Sequence, residues 1–184
     1  MAIEWHLRVN RRFTLHEAVD LTRVRLADLL GQPDAPPPVR VVEASAERRR
    51  GGPGVPLPAD ALDRVAEPAG LGADVDFFLE IPEWRAGALL SLSEFLPGVD
   101  DPEAGVFVWV TSQHDPASQV LSIAACVAFA ECADSEVVDE YGYLAKTRTN
   151  SPEALLYQLR VTSPVESFTA ATDLVLSRTR LRRR

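Results

Sequence analysis

Gln119–Ala133 reads QVLSIAACVAFAECA, and Asp134–Glu140, DSEVVDE, follows it directly. An apolar run beside so acidic a neighbour is either a membrane span or a buried helix. The run extends from Val120 to Ala133 and is interrupted by Ser122 and Glu131. A span needs about 20 apolar residues, and this run falls short. The stretch therefore predicts a buried, alanine-rich helix, whose small side chains admit close neighbours. Asp115 suits its N-cap and Pro116 its first turn. Cys126 and Cys132 are six residues apart. That spacing puts them about 120° apart around a helix and roughly 9 Å along it. They cannot form a disulfide without unwinding the helix. With no CxxC and no adjacent histidine they read as buried thiols, not zinc ligands.

The pattern continues on both sides of this helix. Val106–Val110 (VFVWV) is a near-continuous apolar run, as expected of a central strand covered on both faces. Ile3–Asn10 alternates, with Ile3, Trp5, Leu7 and Val9 on one face. Val39–Glu43 and Asp74–Ile81 also read as strands. Glu136–Leu144 (EVVDEYGYL) reads as an edge strand, kept from aggregating by its charges. Thr14-x-x-Glu17 is a capping box with Phe13 placed as a staple. The helix that follows carries a stripe of Leu15, Ala18, Val19, Thr22, Leu26, Leu29 and Leu30, and stops at Gly31. Glu83–Phe95 reads as a helix weakened by Gly87. Ser151-Pro152 starts another helix, and Ser163-Pro164-Val165-Glu166 reads as the capping box of the last.

The interval 44–73 is crowded with proline and glycine and reads as a long excursion. It contains Arg48, Arg49 and Arg50 and a short helix around Ala59–Val65. Either a solvated, partly disordered loop or a mobile binding loop fits this composition. The chain thus predicts a single α+β domain over residues 1–184. A mixed sheet of about five strands carries helices packed on it, and a basic tail occupies residues 178–184. The 184 residues and a hydrophobic fraction of 46% suffice for a core without metal or disulfide support.

Charge narrows the partners. The formal net charge is -8, from 19 basic and 27 acidic residues. The last seven residues, RTRLRRR, hold five of the arginines, so the remaining body is more acidic still. Such a body repels phosphates, which disfavours nucleic acid and anionic membranes and favours cationic partners. The N-terminal residues show no charged-then-apolar signal pattern, and the expected location is cytoplasmic.

Signatures of catalysis are sparse. His6 sits on the polar side of a strand and His16 in the first turn of a capped helix. Ser112-Gln113-His114-Asp115 cannot easily form a catalytic triad, because four neighbours at a turn do not let the histidine bridge the other two. Neither GxxxxGK[ST] nor GxGxxG is present. The pairs Asp74/Asp76, Asp100/Asp101 and Asp139/Glu140 have no defining spacing. The sequence assigns no catalytic residue, no metal ligand and no cofactor. The strongest constellation is Glu131, Asp134, Glu136, Asp139 and Glu140, close to Tyr141 and Tyr143. On a strand Glu136 and Glu140 would share one face, and Asp139 the other. Carboxylates that steer an encounter and aromatics that anchor it suit a basic protein partner.

SQHDPASQVLSIAACVAFAECADSEVVDEYGYL, followed by SPEALLYQLR, resembles the C-terminal part of small bacterial proteins of unknown function. Some of these are similar to immunity proteins of polymorphic toxin systems. The resemblance covers about Asp74–Arg160 and has no diagnostic catalytic motif. It implies a non-enzymatic neutraliser of a toxin. The resulting expectation is a protein-binding module whose site is Glu136, Asp139, Glu140, Tyr141 and Tyr143. The competing readings are an enzyme with a site near His114 and a structural or oligomeric component.

Overall fold

Alternating side chains build the sheet, and one apolar helix covers it. The computed structural model describes residues 3–32, 38–49, 52, 54–68, 74–95, 104–145, 147–163 and 165–181. Seven strands form the main sheet, in the order β3 (Arg40–Glu43), β5 (Val75–Ile81), β6 (Ala86–Phe95), β7 (Gly105–Ser112), β1 (Ile3–Arg8), β8 (Val137–Val138) and β9 (Thr149–Asn150). Every pairing between them is antiparallel. β2 (Phe13–Thr14) and β4 (Val65–Ala66) form a second, two-stranded ribbon. The fold is α+β, with an antiparallel sheet instead of a mixed one; the strands beyond the expected five are the ten-residue β6 and the two-residue β9.

All the larger helices lie on one face. α4 (Pro116–Cys132) packs on β6, β7 and β1, while α1 (Leu15–Leu30), α5 (Pro152–Leu159) and α6 (Phe168–Ser177) pack around α4. Asp115 caps α4, its carboxylate accepting from Ser118 N–H at 2.8 Å, and Pro116 opens the first turn. Every residue of α4 is buried except Pro116, Ala117 and Glu131. This resolves the apolar run: the helix is wrapped on all sides by protein. Cys126 and Cys132 are both free and buried within it. Burial pushes the Cys126 thiol well up, with the nearby Asp139 adding to the effect, and raises Cys132 to about 11.

α1 follows its sequence pattern closely. Thr14 and Glu17 form the expected reciprocal cap, the whole predicted stripe is buried, and Gly31 ends the helix at φ 68°. The ring of Phe13 meets Phe129 of α4 edge-on at 5.8 Å. The short helices α2 (Ala46–Arg49) and α3 (Ala59–Leu62) lie in the excursion. Pro56 bridges to Val42 there, and Val55–Leu57 hydrogen-bonds along β3. That segment, with a proline inside it, blunts the sheet edge. Arg48 turns back onto the sheet, where it pairs with Glu80 and lies 4.9 Å over the Phe78 ring. Arg50 lies outside the described residues.

Three expected elements differ. Glu83–Phe95 is a 3-10 turn at Pro82–Trp84 followed by the ten-residue β6. From Ala86 the true period is two. Ala88, Leu90 and Leu92 face the helices, while Leu89, Ser91 and Ser93 face away. Pairing with strands on both sides overrides the helical preference of Ala, Leu and Glu. Arg85, at φ 51°, turns the chain into this strand. Glu136–Leu144 contains a strand only at Val137–Val138. The cap of α6 is Ser167, whose side chain accepts from Ala170 N–H, and no helix begins at Ser163.

Candidate functional site

Each strand of the sheet has a second face, and among the described residues no α-helix longer than one turn packs on it. On β7 the valines Val106, Val108 and Val110 point toward α4, so Phe107, Trp109 and Thr111 point outward. The register places His6 opposite Trp109 and Arg8 opposite Phe107. Four rings gather there. His6 lies against Trp109 at 4.5 Å, Phe95 meets Phe107 edge-on at 5.5 Å, and Phe95 lies 6.4 Å from Trp109. Phe107 is nearly buried by its neighbours, whereas Phe95 remains 41% exposed. β7 is thus the central strand that its apolar run predicts, but its outer face is covered by aromatic rings and not by helices.

Two members of this cluster, His6 and Phe107, also line a groove of about 690 Å³ at one end of the sheet. His6, Phe107 and Val138 form its inner wall. Asp134 and Glu136, just beyond α4, and Glu153, at the start of α5, bring carboxylates to its rim. The rim is held in place by the end of α4. Arg11 donates to the carbonyls of Cys132 and Glu131 at 3.0 and 3.1 Å. The backbone N–H groups of Asn10 and Arg11 both donate to Ala133, and the Asn10 side chain donates to Asp134. A cation on the last carbonyls of a helix complements its dipole. The chain then turns through Asp134, a non-glycine residue at φ 53°.

The structure divides the acidic constellation read from the sequence. Asp134 and Glu136 reach the groove. Glu131 also borders it, but its carboxylate is gripped by Arg25 at 2.7 and 2.8 Å, and Arg25 also pairs with Asp28. The bond to Glu131 is the main reason the Arg25 pKa is raised. Glu131 therefore ties α4 to α1. Asp139 is fully buried. One of its oxygens accepts from Leu144 N–H at 2.6 Å, and the other has no partner among the described residues. Its own N–H donates to Arg148, and Gly142, at φ 64°, donates to its carbonyl. Asp139 organises a turn, and the expected alternation of Glu136 and Asp139 along one strand is lost. Glu140 and Tyr141 are exposed on that turn, and Tyr143 is buried beside them.

The sequence reading missed Glu153 and the aromatic cluster. The cluster could have been found from the alternation in Val106–Thr111, where valines and aromatics take turns. Nothing local links Glu153 to Glu136, since the turn after β8 and β9 bring them together. His114 is exposed in the turn before α4 and does not line this groove. Asp74 and Asp76 are exposed, and Asp100 and Asp101 lie outside the described residues. Among the described residues there is no group of three or more His, Cys, Asp or Glu placed to hold a metal ion, and no helix long and apolar enough to cross a membrane. Compared with protein-family models, curated proteins and solved structures, the chain shows no match.

Proposed function

We propose that the protein is a non-enzymatic binding module for a cationic protein, in the manner of an immunity protein that occludes a basic toxin. The observation that supports this reading is one juxtaposition. An aromatic cluster, on a sheet face that among the described residues carries no α-helix longer than one turn, adjoins a groove lined by Asp134, Glu136 and Glu153 beside Arg8 and Arg11. Buried aromatics surrounded by a polar rim are the usual anatomy of a binding hot spot. Carboxylates at the rim would speed the encounter and make it salt-dependent. The acidic net charge acts in the same direction. In this reading Lys or Arg side chains of the partner meet the rim while an apolar side chain covers Trp109 and Phe95.

The test is a pull-down of partners from the lysate of the source organism at low and high salt. It compares the native chain with Glu136→Lys/Glu153→Lys, Trp109→Ser and a Glu140→Lys control. The reading requires a basic partner that is retained at low salt, lost by the first two variants and kept by the control. A partner retained equally by all four proteins would place binding elsewhere. If no protein is retained at low salt, the reading falls.

A further inference from the structure

A second cavity, which shares no residue with the groove, lies between α1, β3 and α3. Its volume is about 270 Å³. Val19 and Val41 form a buried floor, joined by the partly buried Leu57 and Leu62. Val55–Leu57 closes one side by hydrogen-bonding along β3, with Leu57 N–H donating to Val41 at 2.9 Å. One face of α1 supplies the polar rim, because His16, Asp20 and Arg23 recur at helical spacing. His16 lies 3.2 Å from Asp20, and the Arg23 guanidinium lies 3.7 Å from the same carboxylate. Arg40 adds a second guanidinium.

Two features of this cavity bear on what would fill it. Its sign opposes that of the chain: two guanidiniums stand against a single carboxylate, within a protein of net charge -8. In addition, the Arg23 guanidinium stands 41% exposed at the rim, 3.7 Å from the Asp20 carboxylate. The carboxylate of a bound anion would make a charge-assisted contact with it. The floor, however, is valine and leucine, which a phosphate or other fully polar anion could not use. The volume lies below the roughly 300–1,000 Å³ of drug-sized pockets. We propose that this cavity binds a small amphipathic carboxylate, its head on Arg23 and its short aliphatic body on Val19, Val41, Leu57 and Leu62. The excursion that reads as a loop in the sequence would then form one wall of a ligand site. Because the cavity and the groove are separate, either proposal can fail without the other.

The test is a ¹H–¹⁵N NMR titration of the full chain with hexanoate, with hexanol and hexylammonium as uncharged and cationic matches. Hexanoate should give saturable shifts in the millimolar range, centred on the amides of Val19–Arg23, Val41 and Leu57. The two matches should bind at least about tenfold more weakly, the loss expected for one charge-assisted contact. Arg23→Gln should lose about tenfold in hexanoate affinity while the rest of its spectrum is unchanged, and Arg23→Lys should recover part of it. Non-saturable shifts, equal binding of hexanol, or unchanged affinity in Arg23→Gln would overturn the proposal. The last result would mean that Arg23 does not hold the carboxylate.

Discussion

The two faces of β7 come from one six-residue alternation and have different fates. Val106, Val108 and Val110 are completely buried under α4, while Phe107, Trp109 and Thr111 look out from a face without large helices among the described residues. The inner face is stabilised by burial against a helix that is itself surrounded. The outer face is shielded only by its own rings. A strand can therefore look central by composition and still present a surface, when its outward residues are large enough to cover one another. The inner face holds the fold together, and the outer face is the one on which a partner is proposed to dock.

Substitutions at the two faces should separate these roles. The largest loss belongs to the inner layer. Phe129 sits between Phe13 and Phe77, with ring centroids 5.8 and 6.4 Å away, and is completely buried. Phe129→Ala should cost about 3–5 kcal/mol in urea unfolding. An effect no larger than that of an exposed substitution would mean that the core is not organised around α4. Next comes Asp139, which would lie at the surface if Glu136–Leu144 were the expected edge strand. Asp139→Ala leaves the buried Leu144 N–H unpaired and should cost about 1–3 kcal/mol, measured in the same way. Trp109→Ser, on the open face, should cost only about 1 kcal/mol, and its main consequence should appear in partner capture. A loss as large as that of Phe129→Ala would make the outer cluster a second core and weaken the distinction between the faces.

The smallest effect belongs to the α1 cap. Hydrogen bonds from the Thr14 backbone and then from its hydroxyl lower the Glu17 carboxyl from its ordinary 4.5, and neighbouring positive charge adds to them. A carboxylate lowered on folding stabilises the folded state above its unfolded value, and that contribution disappears as pH falls through the folded value. Glu17→Gln should therefore be slightly less stable than the native chain near neutral pH. The difference should vanish in acid, as followed by thermal unfolding across pH. A constant gap down to the lowest pH would mean that the carboxylate charge has no part in the cap.

What was legible in the sequence followed from local chemistry. The box Thr14–Glu17, the Asp115-Pro116 start of α4 and the stripe of α1 each depend on residues within a few positions of one another, so their physics is written in the spacing. β6 was hidden because Ala, Leu and Glu favour a helix in isolation, and only β5 and β7 on either side made it a strand. The candidate site was half legible. Asp134 and Glu136 were visible as acids beside an apolar helix. That Asp139 turns inward, that Glu131 is held by Arg25 and that Glu153 joins the rim depend on contacts between residues far apart in the chain. The sequence by itself determined which segments must be buried and where helices could begin, because burial and capping act on nearby residues. Only the tertiary structure decided which carboxylates remain available to a partner, because that depends on which distant groups reach them first.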